Sequence, residues 1–179
     1  MFFGYTCPNP GYDSSMSRQT RKKERLTLGW REYVDLPALG LEKIKAKVDT
    51  GARTSALHAF AINEFEKDGA PWVRFLIHPV QRDNETVIEC TAPVVDQRVV
   101  SDSGGHKEQR WVIQTDIVIG EQRWSAELTL TSRDDMLFRM LLGRTAMKNR
   151  AMVNPSRSYL AGERPATQDD TSRSQGDGG

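Results

Sequence analysis

Apolar and polar residues alternate with a period of two through most of the middle of the chain. Leu26-Thr27-Leu28-Gly29-Trp30 opens the pattern, and Ile44, Ala46 and Val48 share a face opposite Lys43, Lys45 and Lys47. Residues 72–77, 86–90, 111–119 and 127–131 repeat this signature of half-buried strands. Asp68-Gly69, Ser103-Gly104-Gly105 and Gly120-Glu121 fall between them as turn signals. The pattern predicts an all-β chain folded as a closed or nearly closed barrel. It allows one short helix, over residues 144–150, directly after Leu141-Leu142-Gly143.

The ends differ from the middle. Residues 1–25, with Asn9-Pro10-Gly11, Asp13-Ser14-Ser15 and the basic run Arg21-Lys22-Lys23, sustain no apolar period and are expected to form a flexible basic leader. After Asn154-Pro155 almost nothing apolar remains, so residues 156–179 are expected to be a disordered tail that cannot offset its own ordering entropy. The working domain is therefore placed at residues 26–155, one domain of ordinary size within 179 residues.

Charge and cysteine content narrow the function classes. With 25 basic and 24 acidic residues the net charge is +1, which gives no field to draw the chain to nucleic acid or to a membrane. Cys7 and Cys90 are too few for a disulfide framework, and no cleavable or long apolar run is present. A soluble cytoplasmic protein is expected.

Candidate chemistry sits where one strand stops. Val48 runs straight into Asp49-Thr50-Gly51. An acid at the end of an apolar strand is partly desolvated, while Thr-Gly turns the backbone sharply enough for its N–H groups to approach the carboxylate. Such surroundings suit a carboxyl for proton transfer. The same tripeptide also makes an ordinary turn between strands.

Context separates the two readings. The stretches KVDTGARTSALHA (47–59) and MLLGRTAM (140–147) together resemble retropepsin-like aspartic proteases, and more closely the bacterial retropepsin-like family labelled ATP-dependent zinc protease. The resemblance covers roughly residues 26–154. It implies a retropepsin-like closed β-barrel, with Asp49, Thr50 and Gly51 as the catalytic loop and Leu141, Leu142 and Gly143 as the strand that supports it. It also implies aspartic-type endopeptidase activity, in which two carboxyls share one proton across a water. One chain carries a single Asp-Thr-Gly, so a homodimer would supply the second acid.

Val99-Val100-Ser101-Asp102-Ser103-Gly104 is a rival source of that acid, again with apolar residues leading into Asp-Ser-Gly. The family order of acid loop, flap hairpin, two strands and supporting strand instead makes residues 101–107 a flap, with Ser103, Gly104 and Gly105 against substrate. Retroviral relatives carry an acid two residues after the loop glycine; here Arg53 stands there, while Arg144 keeps the arginine after the supporting glycine. Both are candidate substrate-binding residues, suited to a carboxylate.

Zinc and ATP enter only through the label. His58, His78 and His106 lack the close spacing of a zinc peptidase, no phosphate-binding G-x-x-x-x-G-K-[ST] loop is present, and no metal or cofactor is expected. His58, beside Leu57 and Ala59, reads as a hydrogen-bonded structural histidine. Genes of the family accompany ATP-grasp glutamate ligases that modify a ribosomal protein, so a glutamate-extended tail is a candidate substrate, with Arg53, Arg98, Arg110 and Arg144 as anion contacts. The alternatives are a non-catalytic β-barrel that binds or regulates, and a metal-dependent protease as the label states.

Overall fold

The computed structural model describes residues 25–81, 83, 85–101, 105, 107–132 and 137–162. Strands dominate. In chain order they are β1 (Leu26–Leu28), β2 (Arg31–Leu36), β3 (Leu41–Val48), β4 (Ser55–His58), β5 (Phe60–Lys67), β6 (Ala70–Ile77), β7 (Ile88–Ser101), β8 (Lys107–Ile119), β9 (Gln122–Thr131), β10 (Met140–Leu142) and β11 (Ala151–Val153). The α-helix among the described residues is α1 (Arg144–Met147), shorter at its C-terminal end than the sequence pattern suggests. Asn149, at φ 62, is in the left-handed region and stands between the helix and β11.

Six strands close a barrel. Neighbours run β2-β3-β10-β4-β9-β8, and the pairing of Asp35 with Val118 joins β8 back to β2. Closure leaves no free edge in this ring. Beyond β8 the same sheet continues through β7 and β6 to the edge strand β5, while β1 and β11 form a separate parallel pair.

Inward residues of the barrel and of the β6–β7 extension share one core. Leu36, Ile44, Leu57, Phe75, Ile113 and Leu128 are all fully buried in it. Each such side chain contributes about 1.5–3 kcal/mol by leaving water. Trp124 ties the helix to this core, its indole N–H donating to the Ala146 carbonyl at 2.9 Å.

Turn chemistry sets the hairpins. Asp68 and Gly69, at φ 54 and 75, make the tight left-handed connection from β5 to β6. Gly120, at φ 58, opens the two-residue link between β8 and β9.

Three elements depart from the pattern reading. The strand placed at 86–90 is the start of a longer one, β7, whose residues from Val95 onward are mostly exposed on both faces and so show no alternation. β5 lies at the sheet edge with its pairing interrupted between Phe60 and Asn63, where Ala61 has φ 49. β2 alternates, but its first inward residue is Glu32, which breaks the apolar period.

The chain is also packed past Pro155. Tyr159 stacks on Tyr33 with ring centroids 4.7 Å apart, and the described chain runs to Gly162. The domain boundary drawn from composition at Pro155 does not coincide with the end of the packed chain. Backbone groups and one buried carboxylate hold this stretch, and composition does not register them.

Candidate active site

Val48 ends β3 with its side chain buried, and the next backbone N–H, that of Asp49, donates to the Leu142 carbonyl at 2.9 Å. The acceptor lies on β10, which runs parallel to β3 with Leu142 beside Val48. Leu142 is fully buried and Leu141 half-buried, so this strand is anchored in the core as it meets the loop.

The loop turns around its own carboxylate. Asp49 Oδ1 accepts the N–H of Gly51 at 2.9 Å and of Ala52 at 3.0 Å. A Cβ on residue 51 would stand 3.2 Å from that same oxygen and press on the carboxylate. Oδ2 has no hydrogen-bond partner among the described residues. Asp49 is half-buried, whereas Thr50, Gly51 and Arg53 are exposed.

Gly143 and Arg144 lock the far side of the loop. The Gly143 N–H donates to the buried Ser55 hydroxyl at 3.0 Å, and a Cβ on Gly143 would come within 2.5 Å of the Thr54 carbonyl group. The backbone N–H groups of Arg144 and Thr145 donate to the carbonyls of Ala52 and Arg53, each at 3.0 Å. The Arg144 guanidinium donates to the carbonyls of Thr50 at 3.0 Å and Gly51 at 2.9 Å. Arg144 therefore braces the loop from beneath.

The other arginines divide clearly. Arg98 is held by Glu127 and by Asp96, whose carboxylates keep its proton more firmly bound, and the hydrogen bonds that Asp96 accepts from the Arg98 guanidinium and from the Gln97 N–H keep its carboxyl below the ordinary 3.8. Arg110 is largely buried and paired with Glu108 at 2.7 Å. Arg53 forms no ion pair among the described residues. It stands where two clefts meet. One, of about 680 Å³, runs past Thr50, Met147, Lys148 and Val153; the other, of about 640 Å³, runs under Val99, Val100 and Ser101 of β7.

Gly105 lies exposed between β7 and β8 at φ 83, while Asp102, Ser103, Gly104 and His106 fall outside the described residues. His58 is buried on β4, and His78 stacks on Phe60 with centroids 4.6 Å apart. Among the described residues no three His, Cys, Asp or Glu side chains stand together as a metal-ligand group. No helix among them is long and apolar enough to cross a membrane.

Sequence reading missed Ser55 and Trp30. Ser55 is the single hydroxyl in a strand whose four residues are all buried, which is a readable sign of a structural hydrogen bond. Trp30, whose carbonyl accepts the Val48 N–H at 2.9 Å, gives no such sign.

Comparison with known proteins shows the family of the chain. The family profile described as RimB-like, "Retropepsin-like aspartic endopeptidase RimB", matches residues 27–164. A Shewanella pealeana protein named "Probable alpha-L-glutamate ligase" is 46% identical over 140 residues, covering 78% of this chain and 31% of that protein. A protein of the same name from Parasynechococcus marenigrum is 48% identical over 139 residues, covering 78% of this chain and 30% of its own length. The chain thus spans under a third of the length of these relatives. A solved Legionella pneumophila structure of unknown function (DUF785) superposes with a TM-score of 0.64 at 27% identity, covering 76% of this chain and 98% of that one.

Proposed function

Because the chain belongs to the RimB-like family of retropepsin-like aspartic endopeptidases, we propose that it hydrolyses peptide bonds with a water held between two Asp49 carboxyls, one from each of two copies. The observation that carries this is the one-sided holding of Asp49. Oδ1 is fixed by two loop N–H groups, and Oδ2 is left for a water. The exposed rim of Thr50 and Gly51 is the face that a second copy would cover. One carboxylate takes a proton from the water as its oxygen attacks the carbonyl carbon; the other, protonated, donates to the carbonyl oxygen. Collapse of the tetrahedral intermediate breaks the C–N bond, and the amine leaves with a proton from the pair.

The substrate class is an acidic peptide or protein tail, such as one extended with glutamate. Arg53, with no ion pair among the described residues and at the meeting of both clefts, supplies a cation for its carboxylates. Relatives named glutamate ligases contain a stretch like this chain, which supports a functional link to glutamate addition.

Asp49→Asn keeps the shape of the loop but cannot exchange the proton. Assayed on a glutamate-extended peptide beside wild type, it is expected to lose activity while unfolding at the same temperature. Full activity in Asp49→Asn removes the mechanism built on Asp49, and loss in Asp102→Asn as well as in Asp49→Asn transfers the second acid to the same chain.

A further inference from the structure

Glu32 occupies an inward position of β2, in the series continued by Val34 and Leu36, and is fully buried. A carboxylate there costs several kcal/mol unless its oxygens are hydrogen-bonded. Its partners among the described residues are all backbone: Gly29 N–H at 2.6 Å and Leu160 N–H at 2.9 Å on Oε1, and Ala161 N–H at 3.3 Å on Oε2. Two of these three belong to segment 154–162, which returns after β11 and lies across the Gly29-Trp30 bend. The approach is backbone on backbone. A Cβ on Gly29 would stand 2.5 Å from the Arg157 carbonyl oxygen, and one on Gly120 would overlap that of Ala161.

The segment leads to the acid loop through Trp30. Arg157 O accepts the Trp30 N–H at 2.8 Å, and Tyr159 N–H donates to Arg31 O at 2.9 Å. The Arg31 guanidinium sits over the rings of Trp30 and Tyr159, 4.5 and 5.0 Å from their centroids. Trp30 in turn accepts the Val48 N–H, one residue before Asp49, at 2.9 Å. Its ring also meets Phe138 edge-on at 5.9 Å, shortly before the strand whose Leu142 holds the Asp49 N–H. One backbone anchor beside the acid loop, the Val48 N–H, therefore ends on Trp30, and the Trp30 ring packs against the segment that leads into β10.

We propose that segment 154–162 is a strap belonging to the catalytic scaffold, and that Glu32, acting through the strap and Trp30, is a positioning residue for Asp49. The proposal rests on the reading of Asp49 as the peptidase carboxyl. Freed from the strap, Trp30 and its carbonyl can swing, and Val48 loses its acceptor. A shift of about 1 Å in a catalytic group can lower turnover roughly 100-fold.

The test pairs amide hydrogen exchange with kinetics on the full chain. Glu32→Gln keeps the side-chain shape but removes one acceptor; Tyr159→Ala loosens the strap from its outer face and serves if the first variant does not fold. In either, exchange at Val48 and Asp49 is expected to speed up about tenfold or more while the β8–β9 ladder is unchanged, and kcat to fall about tenfold at constant KM. Faster exchange at Leu160 and Ala161 with Val48 and Asp49 unaltered would overturn the proposal, leaving the strap a packing element. Loosening of Val48 and Asp49 in a protein whose wild type cleaves no peptide upholds the coupling and removes only the peptidase reading of Asp49.

Discussion

The N–H of Gly143 donates to the hydroxyl of Ser55 across 88 residues of sequence, at 3.0 Å. This bond joins the segment after the acid loop to the strand end that supports it. The Ser55 carbonyl also accepts the Thr129 hydroxyl at 3.0 Å, so one residue holds β4 between two neighbours.

Ser55→Ala leaves a buried N–H without its acceptor and is expected to cost about 1–3 kcal/mol. A lower midpoint in urea with an unchanged slope reads this out. Gly143→Ala should be worse, since its Cβ meets backbone at Thr54 that cannot rotate away.

Arg144 and Arg53 should separate kinetically. Arg144→Met removes the brace beneath Thr50 and Gly51, so kcat is expected to fall roughly 10- to 100-fold. Arg53→Met should raise KM about tenfold for a glutamate-rich peptide, leaving neutral peptides and stability almost unaltered. Steady-state kinetics on an acidic and a neutral peptide decide it. Equal effects of both substitutions on KM would contradict the division of roles.

The sequence made some parts of this legible and hid others for physical reasons. The barrel strands that bury one face, such as β3 and β8, announce themselves by alternation, and Asp68-Gly69 announces its hairpin. Edge strand β5 and the outer half of β7 have no buried face to impose a period. At the site, the Asp49-Thr50-Gly51 turn is local and can be read by itself, whereas Leu141-Leu142-Gly143, far along the chain, is legible only through its resemblance to the retropepsin-like motif. The division of labour among arginines depends on which carboxylate or carbonyl each meets. Trp30 and the 154–162 strap act through backbone groups, which every residue carries alike.

Burial raises the Cys90 thiol from its ordinary 9.0 to about 11, with the Glu89 charge adding to the effect. Below pH 9 the thiol is protonated whether folded or unfolded. Between pH 9 and about 11 the unfolded chain releases this proton while the folded one retains it, so stability should fall with rising pH by up to roughly 2–3 kcal/mol. Urea titrations of wild type and Cys90→Ala across that window check the sign: the variant should lack this part of the loss. In the native state Cys90 should also resist alkylation at pH 8.

Activity is expected to survive EDTA, because the chemistry assigned to Asp49 needs only water and two carboxyls. Peptidase assays with and without the chelator test this directly. Loss restored by added zinc would instead support the metal-dependent reading.

An active site built from two copies of Asp49 makes activity depend on which chains pair, and mixing chains reads this out. Wild type and Asp49→Asn are combined in equal amounts, allowed to exchange subunits, and assayed at fixed total chain concentration. If a site needs both acids, only pairs of wild-type chains work, and activity should settle near about one quarter of the all-wild-type value. A value near about one half would mean that each wild-type chain acts independently of its neighbour, and would contradict the shared site.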